Sequence, residues 1–220
     1  GRPVKGSLNS FYRATDILFE HKDSIEAYLS KTEKEIFSLS ETLCFFDLTN
    51  THFEGQVLGN PKAKFGRSKQ KRSDCRLLTL ALIIDELGFV KYSRLYPGNQ
   101  QETKTLAEMI ESLVALRPDL ARNRTVIMDA GIASASNIAW LIEHGYQYLV
   151  VSREGHAKDP RDQESAVMVR KTEHNSVAVY REIDAETGET RLYCHSELKA
   201  KKEQAIRNRF HVRLEEWLDK

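Results

Sequence analysis

Four apolar residues, Leu43, Cys44, Phe45 and Phe46, run without a break into Asp47. A short apolar run carrying β-formers predicts a strand buried on both faces. A carboxylate inside such a strand is costly to bury without a partner. A positive group should therefore face Asp47, and a metal ion is one candidate. The alternative is an Asp at a strand end, bonded to nearby amides or to Thr49 and Thr51.

The same arrangement recurs downstream. Thr125 to Met128 is a second short apolar strand, and it runs into Asp129, followed by Ala130 and Gly131. In sheets with parallel strands, functional groups gather at the strand ends where the connections diverge. If these two strands are neighbours, the two carboxylates lie close together. They then repel unless protonated or bridged by a cation. Hard oxygen donors without His or Cys point to Mg²⁺ or Mn²⁺. Paired carboxylates holding two such ions suit phosphodiester chemistry.

Between them, Leu77 to Ile84 is uninterruptedly apolar, and Phe89 to Tyr96 partly alternates. A turn at Asp85 to Gly88 makes the pair a hairpin, with Asp85 as a turn residue. Glu102 to Leu116 has the spacing of an amphipathic helix, with Thr103 or Thr105 as a cap and Pro118 beyond its end. Ser134 to His144 forms another helix, stopped by Gly145, and Tyr146 to Val151 a further strand. The order strand, strand, strand, helix, strand, helix, strand predicts a mixed α/β sheet, antiparallel first and parallel later.

Outside this core, spacings of three and four from Phe11 to Leu29 predict one amphipathic helix, about Ser10 to Ser30, for core covering or dimer contact. Past Ser152 the chain turns polar. Val177 to Ile183 and Thr190 to His195 alternate and form a second hairpin around D-A-E-T-G-E. Glu197 to Leu218 is helical, with Ile206, Phe210, Leu214 and Trp217 or Leu218 on one face. Glu215 and Glu216 read as helix-surface charges.

Residues 62–76 form a loop in which seven of fifteen residues are basic: Lys62, Lys64, Arg67, Lys69, Lys71, Arg72 and Arg76. Such clustering suits phosphate contact, although a solvated face is the simpler alternative. It must act locally, because the formal net charge of the 220-residue chain is only +1. The three cysteines are scattered, with no C-x-x-C pair, which excludes a zinc cage or disulfide framework. No apolar run approaches the roughly 20 residues of a membrane span, and no signal peptide is visible. A reducing, cytoplasmic setting is the default expectation. Both ends read as cut, since the chain opens without Met and stops inside a helical pattern.

In this order, F-F-D-L-T-N-T-H-F-E-G (45–55), K-F-G-R-S-K-Q-K-R-S-D (64–74), the P-G-N-Q-Q-E-T-K-T-L stretch ending at Leu106, and V-I-M-D-A-G-I-A-S (126–134) resemble the DDE transposases of bacterial insertion sequences. The likeness covers roughly residues 10–152. It implies a ribonuclease H-like core at 41–152, an N-terminal helical arm at 1–40, and a β-rich insertion with a following helix at 153–220, the core being completed beyond the C-terminus. It implies that Asp47 and Asp129 are catalytic acids holding Mg²⁺ or Mn²⁺, and that Thr49 and Asn99 help shape the site. Partners would be double-stranded DNA, as transposon ends and target, and a second copy of the chain in the active complex. The setting would be the bacterial nucleoid. The family's third acid, a Glu in a Tyr-Arg-Glu helical pattern, has no match here, so the fragment is expected to be inactive alone. Two other readings are another ribonuclease H-like nuclease, or a non-catalytic DNA-binding remnant of a transposase.

Overall fold

The computed structural model describes residues 6–67, 72–120, 124–152 and 159–218. The chain divides into two compact units, Gly1–Arg153 and Glu154–Lys220.

The first unit is built on a five-stranded sheet. Strands β1 (Leu43–His52), β2 (Leu77–Ile84) and β3 (Val90–Pro97) form an antiparallel meander. Strand β4 (Thr125–Met128) pairs parallel to β1, and β5 (Gln147–Val150) parallel to β4. The spatial order is β3-β2-β1-β4-β5. Helices α3 (Leu106–Leu116) and α4 (Ala135–Glu143) connect β3 to β4 and β4 to β5. This is the mixed sheet expected from the element order, and the ribonuclease H-like core that the resemblance implies.

One face of the sheet carries the core. Cys44, Phe46 and Leu48 of β1 are buried with Ala81, Ile83, Val126 and Met128, against Met109, Ile110 and Leu113 of α3 and Leu141 of α4. The period of two along a strand sends Phe45, Asp47 and Thr49 to the other face. There Phe45 is half-buried, while Asp47 and Thr49 are exposed. The expectation of a β1 buried on both faces is thus corrected: only the alternate residues are covered, and the carboxylate lies on the open side, where its solvation cost is small.

The N-terminal arm also departs from expectation. It is two helices, α1 (Leu8–Glu20) and α2 (Lys22–Phe37), broken at His21. His21 lies at φ −100° and ψ 9°, outside helical geometry, and its N–H still bonds the carbonyl of Ile17. Helix α1 buries no residue, and α2 buries only Ser30. Helix α2 meets the rest of the unit through hydrogen bonds from Ser93 to Glu26, the Glu33–Lys91 ion pair and the stacking of Phe37 on Phe89 at 5.2 Å.

The second unit is a three-stranded antiparallel sheet, β6 (Val167–Lys171), β7 (Ser176–Ile183) and β8 (Thr190–Ser196), followed by α5 (Glu197–Leu218). Strand β6 extends the predicted hairpin by one strand. The β7–β8 turn is closed by Asp184, whose carboxylate accepts from the amides of Glu186 and Thr187.

Candidate active site

The parallel register of β1 and β4 ends with Phe46 opposite Met128, so Asp47 is the next residue along β1 and Asp129 the first residue after β4. Neighbouring strands lie about 4.8 Å apart. Asp47 Oδ1 accepts from its neighbour's amide, Leu48 N, at 2.8 Å. Asp129 Oδ1 accepts from Gly131 N at 2.9 Å and Ile132 N at 3.1 Å, so the turn leaving β4 holds this carboxylate in place.

A third carboxylate lies at the same turn. A Cβ on Gly131 would sit 3.0 Å from Glu102 Oε2 and 3.1 Å from Asp129 Oδ1. Glu102 opens the single 3₁₀ turn (Glu102–Lys104) that leads into α3. Sequence reasoning assigned it only to a helix start. The chain order gave no sign that the β3–α3 and β4–α4 connections meet.

The carboxylates of Asp47, on β1, and Asp129, at the turn leaving β4, are hard oxygen donors of the kind that suits a divalent ion of the Mg²⁺ or Mn²⁺ type. Among the described residues, no group of three or more His, Cys, Asp or Glu side chains is gathered closely enough to hold a metal. Thr49 lies two residues along β1 from Asp47, on the same exposed face. Asn99 is exposed in the turn after β3, where Gln100 N bonds Pro97 O at 2.9 Å.

The basic loop is clamped onto the β2 and β3 ends. Lys64 and Leu77 exchange backbone hydrogen bonds at 3.2 and 2.8 Å, and Gly98 N bonds Lys62 O at 3.1 Å. Gly66 is packed on the Gly98 carbonyl, and Gly98 on the carbonyls of Leu77 and Lys64, too close for any Cβ. The cations of this loop have unequal commitments. Lys62 Nζ donates to Leu95 O, and Arg76 donates to Ala63 O while covering the Phe65 ring. Arg72 donates to both oxygens of Asp74 and to Glu54, and holds the Asp74 carboxyl down at about 2. Lys64 and Arg67 are exposed and have no partner among the described residues. Lys69 and Lys71 lie outside the described residues.

At the opposite end of the sheet is a buried charge network that sequence reasoning did not find. Lys91 Nζ lies 3.0 Å from Asp85, 3.2 Å from Glu33 and 3.3 Å from Glu41. Glu41 is 1% exposed and sits at φ +50°, a strained conformation for a residue with a Cβ. Lys34, Arg117 and Arg124 surround its other oxygen at 3.2, 3.5 and 3.8 Å. Among the described residues neither oxygen of Glu41 makes a well-formed hydrogen bond, and the surrounding cations hold it. Asp85 does make the predicted turn, accepting from Leu87 N and Phe89 N, but its second oxygen faces Lys91. Burial pushes the Asp85 carboxyl up. The Lys91 ammonium and the Phe89 and Leu87 amides outweigh that and hold it below the ordinary carboxylate range.

Residues 40–209 match the family model described as the transposase DDE domain. Among curated proteins no sequence relative was found. Solved structures similar to the chain include a Mos1 transposase paired-end complex with left transposon end, at 15% identity over 68% of this chain and 45% of that chain, with a TM-score of 0.35. Others are the catalytic domain of Mos1 mariner transposase, at 14% identity over 73% of this chain and 68% of that chain, TM-score 0.33, and a piggyBac transposase synaptic complex with hairpin DNA, at 14% identity over 70% and 33%, TM-score 0.36. The chain spans under half the length of the Mos1 chain in the paired-end complex. Likeness at these scores carries no weight here; the assignment rests on the domain match, which spans more than half of the chain, with the strand order in agreement. The chain belongs to the DDE transposase family.

Proposed function

We propose that this chain supplies the catalytic core of a transposase that cuts and joins DNA at the ends of a mobile element. The observation that supports it most is the Phe46–Met128 register, with Asp47 next along β1 and Asp129 the first residue after β4. Asp47 and Asp129 would hold a divalent ion, which would supply charge to activate the attacking oxygen and steady the leaving oxygen of the scissile phosphate. The amides of Gly131 and Ile132 orient Asp129 by donating to its Oδ1. Lys64 and Arg67, which have no acidic partner among the described residues, meet the DNA backbone at the β2 and β3 ends of the sheet. Thr49 and Asn99 line the approach, and a second copy of the chain completes the working complex.

The third acid of the resemblance, a Glu in a Tyr-Arg-Glu helix, matches no residue of the sequence. On this reading the 220 residues bind DNA without cutting it. The test is Asp47→Asn and Asp129→Asn in the complete transposase. Each change abolishes cleavage and leaves binding of element ends within a few-fold. Cleavage that survives either change rejects the assignment.

A further inference from the structure

We infer that α5, in the second unit, is a separate contact surface for the phosphate backbone of duplex DNA. This rests on the DNA-handling reading of the family and extends it to a surface to which nothing in the core loop points.

Between Lys199 and Arg213 there are six cations (Lys199, Lys201, Lys202, Arg207, Arg209 and Arg213) and one carboxylate, Glu203, a net of +5. Over all of α5, Glu197–Leu218, the six cations meet four carboxylates (Glu197, Glu203, Glu215 and Glu216), a net of +2, so the excess is confined to the middle of the helix. All six cations are exposed. Lys199 shares its charge with Glu203 at 3.8 Å. Among the described residues, the other five have no acidic partner.

Helical geometry organises them. At 3.6 residues per turn, Lys202, Arg209 and Arg213 fall within about 40° of one another around the axis, and span about 16 Å along it. The helix presents this row on a fixed scaffold of 22 residues. Ile206 and Phe210 border the row, and Phe210 is 72% exposed. Duplex DNA carries one charge per about 1.7 Å of axis, so a row of this length faces several phosphates at once. A basic helix edged by apolar residues also suits an anionic membrane surface. DNA is favoured because the transposase domain match continues into α5 as far as residue 209.

The experiment measures binding of the 220-residue chain to a random-sequence 30-base-pair duplex by fluorescence anisotropy across a KCl series. The variants are Lys202→Ala/Arg209→Ala/Arg213→Ala, Lys64→Ala/Arg67→Ala, and a control that removes three exposed cations elsewhere, Arg13→Ala/Lys31→Ala/Arg181→Ala. Circular dichroism confirms that the helix is retained. The α5 variant is expected to lower the slope of log Kobs against log[KCl] by about 2.7 in magnitude, from three lost phosphate contacts at about 0.9 each. The control should leave the slope unchanged. An α5 variant with a wild-type slope, beside a loop variant whose slope falls, overturns this inference and leaves the core reading standing. An equal fall in the control overturns it as a bulk charge effect. Phosphatidylserine vesicles captured by wild type but not by the α5 variant, with the DNA slope unmoved, overturn it in favour of a membrane surface. If the wild-type chain binds no duplex, both readings fail.

Discussion

Lys91 Nζ and Asp85 Oδ2 face each other at 3.0 Å, each side chain about 1% exposed, at the end of the sheet away from the paired aspartates. Removing the cation leaves Asp85, Glu33 and Glu41 confronting one another without it. Breaking a buried ion pair from one side costs about 3–5 kcal/mol. Lys91→Met should therefore lower the unfolding free energy by that amount in urea titrations at pH 7. A loss below about 1 kcal/mol would mean the remaining cations, Lys34, Arg117 and Arg124, already neutralise the cluster.

The same pair sets a pH window. The Asp85 carboxyl is held low in the folded chain, so in acid the unfolded state binds more protons and stability rises with pH. Its contribution is present above the unfolded value of about 3.9 and is lost as pH falls through the lower folded value. Burial lowers the Lys91 ammonium, but Asp85 and Glu33 outweigh that and raise it. Its contribution is present below about 10.4 and lost as pH rises through the higher folded value. Asp85→Asn should flatten the fall in stability below about pH 4, measured as urea midpoints from pH 2.5 to 7. An unchanged acid limb would show that Asp85 does not couple to folding.

Gly131→Ala tests the turn at which two carboxylates meet. The new Cβ would press on Glu102 Oε2 at 3.0 Å and on Asp129 Oδ1 at 3.1 Å. Glu102 can swing aside, whereas Asp129 is tied to two amides. The thermal midpoint without metal should move little, while the Mn²⁺-induced rise in that midpoint shrinks or disappears. A full Mn²⁺ response in the variant would show that Asp129 tolerates the displacement.

Gly98→Ala tests how the basic loop is held. A Cβ there would collide with the carbonyls of Leu77 and Lys64, which are backbone and cannot rotate away. The loop should lift from the β2 and β3 ends. DNA affinity should fall about as far as in Lys64→Ala/Arg67→Ala, with the salt slope lowered by about 2. Arg72→Ala, by contrast, should barely move the slope, because Asp74 and Glu54 already offset that charge. A large effect of Arg72→Ala would mean that it leaves its carboxylates for DNA.

The strands and their order were legible because each is a short apolar run closed by a turn residue or an acid. Leu77–Ile84 and Thr125–Met128 need no tertiary information to be recognised. Asp47 and Asp129 stood out for the same reason, as polar residues ending apolar runs. The charge network was not legible. Glu41, Lys91, Arg117 and Arg124 come from four separate segments, and nothing local distinguishes a buried Lys from a solvated one. Glu102 was missed likewise, since its approach to Gly131 depends on two connections meeting in space. The two-sided burial expected of β1 failed because an apolar run cannot show which of its faces other elements cover. The break at His21 was hidden by apolar spacing that continues through it, although α1 buries none of those residues.

The most direct measurement is a crystal structure of the chain soaked in Mn²⁺, read by anomalous scattering. An ion shared by these two acids predicts a peak about 2.1 Å from carboxylate oxygens of both Asp47 and Asp129. A saturating soak with no peak there, or with the two side chains turned to opposite faces of the sheet, would contradict the account.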